Sequence, residues 1–499
     1  LRPTSPVAVL PDSHTLMRTW SSNLAVPTGI LAICLSSCAS DLLIDLNEPG
    51  PGSEEWCEWQ SFHHEPLEDT VRASELARLW ERRLGSDTLG GRWSHQAALA
   101  PGTSELRMGH RGLLIGFDLG DRAEVEGNIE GALLSELGLD LRGRRPVDQA
   151  ITVNALMTSS HRSLPTHVLE FGTGAPGDVE GPNDLLWSLY DEDPAFASPI
   201  ERSRLALDEI LDERIEQAFF EDRPTHVLLL ASGWNTTQLE CVRDHAAMLQ
   251  HLEAAMGEDF RPLVLTFTWP SRTTHQEASQ DRIALERRRI ADEVGLLWVN
   301  RILHRSVLPQ AAANGNVPVV LIGHSLGARM LSRAAYAGSM LAGPAPGQRA
   351  DLLICLSAAF SMRRFDPREL DRGEGAPYAY PADGPKHVVL VSSARDAVSD
   401  WPDQMWLRQE RDAVGGMHGW DHASELLNTL GIERRPVYPD GRFRLPLHPA
   451  PAMLAVDATR LIGCHDDVVR LEHGRMLGTL IDMIRDPDGA PKRAPGRVD

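Results

Sequence analysis

Near the middle of the chain, Gly323-His324-Ser325-Leu326-Gly327 follows the apolar run Pro318–Ile322 and leads into a helix-forming stretch. A serine with glycine two residues away on either side, a strand before it and a helix after it, is the arrangement that lifts a hydroxyl out of a sheet on a tight turn. The small residues let the two backbones approach. The start of the following helix supplies positive potential where an oxyanion would develop. The chemistry these residues permit is nucleophilic acyl transfer, with Ser325 attacking a carbonyl carbon and carrying the acyl group.

That turn needs a sheet behind it. From about Pro224 onward, short apolar runs alternate with longer amphipathic stretches: His226–Ala231, Leu263–Thr268, Pro318–Ile322, Leu352–Leu356 and His387–Val391. Continuous apolar runs are expected of strands buried on both faces of a parallel sheet. Between them, Ile283, Ile290, Val294 and Leu297 share a helical face. Alternation of this kind predicts an α/β protein with a mostly parallel central sheet flanked by helices.

Further motifs recur along this frame. Ser232-Gly233-Trp234-Asn235 ends the first run, and Phe267-Thr268-Trp269-Pro270-Ser271-Arg272 ends the second, ahead of Gly-His-Ser-Leu-Gly. In this order, over about residues 222–480, they resemble a bacterial α/β-hydrolase family of unknown function. That family shows His-Gly-aromatic-Asn, Trp-Pro-Ser and Ala-His-Ser-Met-Gly. The resemblance implies the α/β-hydrolase fold, with one oxyanion donor from the loop after the early strand and one from the residue after the nucleophile. Backbone N–H groups of Trp234 and Leu326 are therefore expected to form the oxyanion hole. Ser232 stands where the family has histidine, so altered support of that loop is expected, without loss of the backbone donors.

The family order of serine, acid and then histidine directs attention downstream. His387–Val391 runs into Ser392-Ser393-Ala394-Arg395-Asp396, and Asp396 stands where the acid is expected. Asp400 is a nearby rival. The other acid position, after Leu352–Leu356, offers no carboxylate until Asp366. By resemblance, a histidine on the loop entering the last helix is the base. His473, ahead of the apolar stretch Met476–Ile484, is that residue; His465 competes with it, and His418 and His422 are weaker choices. His473 would take the Ser325 proton while Asp396 orients the ring. No cofactor or metal is required, and His418 and His422, four apart without nearby thiols, make a poor metal set.

Composition narrows the setting. The 499 residues carry 49 basic and 70 acidic side chains, a formal charge of −21, which disfavours binding to nucleic acid. Cys34, Cys38, Cys57, Cys241, Cys355 and Cys464 are scattered without the spacing of a disulfide framework, although a bridge among Cys57, Cys241 and Cys464 is open. Cys355 lies within an apolar run and is expected to be a buried thiol. The long polar segment Met362–Pro385 is a candidate lid or pocket wall, or a surface insertion.

Met17–Ser40 has the charge, apolar, small-residue order of an export signal, with residues 1–16 preceding a candidate initiator. Its end, Leu35-Ser36-Ser37-Cys38, resembles the lipobox of bacterial lipoproteins, which implies lipidation of Cys38 and a tether to a membrane. The expected organisation is thus a leader and signal over 1–40, an N-terminal accessory region or elaboration over 41–222, the hydrolase domain over 223–484 and a disordered tail over 485–499. The chemistry suits an exported esterase or lipase acting on a small-molecule or lipid ester. An amidase or peptidase on the same site, or an inactive membrane-tethered binding protein, would share these motifs. Exchange of Cys38→Ser is expected to move the protein from the membrane to the soluble fraction, as followed by detergent phase partitioning.

Overall fold

The computed structural model describes residues 110–120, 162–171, 184–189, 199–234, 236, 238–271, 280–337, 348–365, 384–396, 414–415, 427–428, 432–442, 451–463, 465 and 467–484. The leader, Cys38, the tail, Cys57, Cys464, Asp366, Asp400, His418 and His422 lie outside them, as does most of the segment proposed as a lid.

Three strands come first: β1 (Gly112–Gly120), β2 (Arg162–Phe171) and β3 (Asp184–Ser188), followed by helix α1 (Pro199–Glu221). Then follow β4 (His226–Ala231), α2 (Gln238–Met256), β5 (Pro262–Thr268) and α3 (Gln280–Glu293). Two π-helical turns, Val294–Val299 and Ile302–Val307, lead from α3 to α4 (Leu308–Ala313). The remaining elements are β6 (Val319–His324), α5 (Leu326–Tyr336), β7 (Leu352–Leu356), β8 (His387–Ser392), β9 (Glu433–Pro436), β10 (Met453–Asp457) and α6 (Leu471–Asp482).

All these strands form one sheet in the order β3-β2-β1-β5-β4-β6-β7-β8-β10-β9. From β1 through β9 every neighbouring pair is parallel. Only β2 runs against its two neighbours. Apolar side chains alternate between the two faces: Val227 and Leu229 of β4 join one core, Leu228 and Leu230 the other. The first core also takes Leu207 and Leu211 from α1, Ile290 from α3 and Met330 from α5. The second takes Leu249 and Leu252 from α2 and Leu477 and Leu480 from α6. Helices on both faces explain why the central strands have no polar side.

The boundary expected at residue 223 is not a break in this sheet. Gly112–Gly116 of β1 pair with Val264–Thr268 of β5, in parallel. The described residues between 41 and 222 therefore extend the sheet and do not stand apart from it. Their signal was weak because β2 carries buried Ser163, Thr166, His167 and Glu170 among its apolar residues. Glu293 accepts hydrogen bonds from the Ser163 N–H (2.7 Å) and hydroxyl (3.1 Å), so part of this polarity is satisfied internally.

α5, directly after the candidate nucleophile, is buried along its whole length although it contains Arg329 and Arg333. Asp292 of α3 accounts for both. Its carboxylate accepts Arg329 Nε (3.0 Å) and Nη2 (2.5 Å) and Arg333 Nε (3.2 Å). This carboxylate locks the helix behind the turn to its neighbour α3 on the same face of the sheet. Removing one partner of a buried ion pair leaves charge in a poor solvent and typically costs about 3–5 kcal/mol. Asp292→Ala should lower unfolding free energy by roughly that amount, read as a drop in the urea midpoint.

Candidate active site

The turn between β6 and α5 has the geometry its sequence predicts. Ser325 sits at φ 51°, ψ −119°, between an extended strand and a helix. A non-glycine residue in this region costs on the order of 1–3 kcal/mol and persists only where its surroundings fix it. Here they do. The Ser325 N–H donates to Leu356 O (2.9 Å), and its carbonyl accepts the N–H groups of Ala359 (3.2 Å) and Arg329 (3.3 Å). The flanking glycines are required by close approach: a Cβ at 327 would lie 2.2 Å from Ala231 O, and one at 323 would lie 2.5 Å from the Ala328 backbone.

On the expected oxyanion side, the exit of β4 presses against the serine. A Cβ on Gly233 would lie 2.8 Å from Ser325 Cβ, so only glycine lets this loop come so near. Two residues of the Trp-Pro-Ser motif hold the loop. Trp269 Nε1 donates to Ser232 O (3.0 Å), while Ser271 Oγ donates to Thr236 O (2.7 Å) and accepts the Thr236 N–H (3.1 Å). The loop thus carries Trp234 past the nucleophile between two pinned residues. Leu326 is the first residue of α5, where backbone N–H groups have no acceptor within the helix.

Support of this loop comes in part from residues that the sequence did not disclose. Ser232 Oγ lies 3.1 Å from His245 Nε2 and 3.3 Å from Cys241 Sγ, both on α2. A buried imidazole thus stands beside position 232, contributed by another element. Burial holds His245 neutral, its pKa lowered to about 3. Cys241 is a buried thiol, as is Cys355, whose pKa burial pushes up. The only hint in the sequence is that Cys241 and His245 are four residues apart on one helical face.

The expected acid is fully buried at the end of the β8 loop. Its partner is His465: Nδ1 lies 2.9 Å from Asp396 Oδ1 and 3.0 Å from Oδ2. A carboxylate only accepts, so Nδ1 carries the proton. The two loops that bring them together are stitched along their length. Ala458 N–H donates to Ser392 O (2.8 Å), Ala394 N–H to Thr459 Oγ1 (2.9 Å) and Ser393 Oγ to Ile462 O (2.8 Å). The His465 ring also packs beside that of His324, with centroids 4.8 Å apart.

His473, the expected base, is not brought to Asp396. It lies in the first turn of α6 and not on the loop before it. There its Nδ1 accepts the Arg470 N–H (3.0 Å), satisfying a backbone donor at the helix start. The ring is 1% exposed, and burial first, then the charge of Arg470, lowers its pKa to about 3. It acts as a neutral structural acceptor. The apolar stretch beginning at Met476 made the helix appear to start five residues later than it does, which placed His473 on a loop.

No protein-family profile matches the chain, and no curated protein matches it. Among solved structures, a Thermus thermophilus protein, TT1662, is similar at 15% identity over 52% of this chain and 89% of its own, with a TM-score of 0.29. A lipase-esterase related protein from Clostridium acetobutylicum is similar at 12% identity over 53% of this chain and 96% of its own, with a TM-score of 0.23. Scores this low do not define a shared fold by superposition. The chain's own topology does. A mostly parallel sheet covered on both faces, with a strained serine between a central strand and a buried helix, is the α/β-hydrolase fold. Among the described residues, no helix is long and apolar enough to cross a membrane, and no group of three or more His, Cys, Asp or Glu is arranged to hold a metal ion.

The two buried histidines make stability depend on pH. A pKa lowered from 6.5 to about 3 in the folded state means that the unfolded chain takes up protons first on acidification. The stabilisation is complete above about pH 6.5 and is lost progressively as pH falls toward 3, at up to roughly 1.4 kcal/mol per pH unit for each histidine. In His473→Asn, whose amide oxygen can still accept the Arg470 N–H, the drop in urea midpoint between pH 7.5 and pH 5 should shrink.

Proposed function

We propose that this protein is a serine hydrolase that cleaves a small-molecule or lipid ester through an acyl-enzyme on Ser325. His465 acts as base and Asp396 as its carboxylate partner. The observation that carries the reading is the bond between Asp396 and His465 Nδ1, on loops tied to each other and beside the turn that presents Ser325.

The chemistry follows from the protonation states. With Nδ1–H donated to Asp396, Nε2 is the basic nitrogen of the ring. It takes the Ser325 proton as Oγ bonds to the ester carbonyl carbon. Asp396 stabilises the imidazolium that forms, without itself taking up the proton. The negative charge on the carbonyl oxygen is met by the N–H groups of Trp234 and Leu326, a contribution of about 3 kcal/mol for one such donor. The imidazolium then protonates the departing alcohol, and water, deprotonated by the same ring, releases the acid and restores Ser325. The protein groups suffice for each proton transfer. A lipid anchor at Cys38 would hold this chemistry at a membrane surface.

Ser325→Ala is expected to abolish labelling by a fluorophosphonate and lower turnover of p-nitrophenyl esters by about four to six orders of magnitude. His465→Ala should fall comparably, and Asp396→Asn by about four orders. His473→Asn should stay within about threefold of the parent, since its ring serves the helix start. A fully active His465→Ala protein would refute the assignment of the base. Intact turnover in Ser325→Ala would refute the reading as a whole.

A further inference from the structure

We propose that His324, the residue before the nucleophile, is a positioning residue that holds His465 on Asp396. The inference rests on the serine-hydrolase reading and extends it to a side chain outside the Ser-His-Asp set.

His324 closes β6, and its side chain is half-buried. Its Nε2 lies 2.9 Å from the backbone carbonyl oxygen of His465. A carbonyl only accepts, so Nε2 carries a proton and donates it. The two rings pack with centroids 4.8 Å apart and planes inclined by 49°. The opposite edge of the His324 ring faces the oxyanion loop, since a Cβ on Gly233 would lie 3.1 Å from Nδ1. One imidazole is therefore continuous with Ser325 through the backbone, packed beneath the loop that carries Trp234, and bonded to the residue that carries the base.

The need for such a tether follows from how His465 is mounted. The loop after β10 is tied to the β8 loop through Thr459 and Ile462, and Gly463 N–H donates to Asp467 Oδ2 (2.7 Å). Those bonds fix the chain on either side of His465. The bond from His324 acts on residue 465 itself and sets the direction in which its Cα–Cβ bond leaves the backbone. A ring that must meet both oxygens of a buried carboxylate and also exchange a proton with Ser325 tolerates little rotation. Misplacement of a reacting group by about 1 Å can cost about a hundredfold in rate. Because His324 is joined to Ser325, the same bond fixes the base relative to the nucleophile with no intervening loop.

The test separates a donor from a space-filling ring. His324→Phe keeps the ring without the N–H, and His324→Asn carries an amide nitrogen at the Nδ1 position, too short to reach the carbonyl. His324→Gln places an amide N–H near the position of Nε2. In the Phe and Asn variants kcat should fall about a hundredfold with KM within threefold of the parent, and Gln should return kcat to within about fivefold. The Asn variant keeps the comparison available should Phe impair folding.

A second readout does not depend on turnover. In histidine-15N-labelled Ser325→Ala protein, the downfield Nδ1 proton of His465, held by Asp396, should be visible by NMR. It should be lost to exchange when His324→Phe or His324→Asn is added, and restored with His324→Gln. Persistence of that proton together with unchanged kcat in the Phe and Asn variants overturns the proposal. Loss in the Gln variant equal to that in Phe does so too, because the donor would then be irrelevant. The serine-hydrolase reading is judged separately by fluorophosphonate labelling of the parent. If labelling fails while the proton follows the His324 series, that reading falls and the tether stands.

Discussion

The backbone of Ser325 is held in a conformation that serine does not choose, and the layers around it are arranged to keep it there. Its N–H and carbonyl bond to residues at the exit of β7 and to the first turn of α5. The glycines on either side allow α5 to press against the end of β4 and the turn to close on itself. Asp292 binds α5 to α3 through Arg329 and Arg333, so the helix cannot slide to relieve the strain. The next strand exit repeats the pattern on a smaller scale: Ser357, with φ 45°, donates its N–H to Val391 O. Strain at one strand end is thus contained by bonds to the next.

The parallel sheet turns this constraint into a site. Strands running the same way deliver their exits to one edge, and β4, β6, β8 and β10 each contribute a loop there. The contributions are Gly233 and Trp234, Ser325, Asp396 and His465, in that order. Residues distant in sequence meet because β4, β6, β8 and β10 lie within five consecutive positions of the sheet. The loop that carries Trp234 is further positioned by Trp269 and Ser271 from the exit of β5, which gives the Trp-Pro-Ser motif a structural purpose.

Much of this was legible in the sequence where the local signal was strong. Five apolar runs became β4 to β8 with ends shifted by no more than a few residues, because strands buried on both faces leave few polar positions to blur them. The Ser325 turn was equally plain, since its glycines answer to sterics within a few residues. Asp396 could be placed because it follows a clear strand. That Asp396 meets His465 was harder to foresee because the supporting strand, β10, is a five-residue segment between a Pro-rich stretch and a polar loop. The final helix, which gives the stronger signal, drew attention to His473. The pairing of β1 with β5 was invisible for another reason: parallel partners are chosen by non-local packing, and nothing in either segment names the other.

At the far margin of the sheet, β9 consists of Glu433-Arg434-Arg435-Pro436. A strand with two successive arginines ending in an imino acid is a poor template for another chain, because bringing a second sheet alongside would strip water from the guanidinium groups and meet one missing amide donor. The segment contributes little cohesion to the interior. Its contribution is colloidal: a wide sheet rich in valine and leucine ends there on a border unsuited to further growth, which favours discrete molecules over fibres.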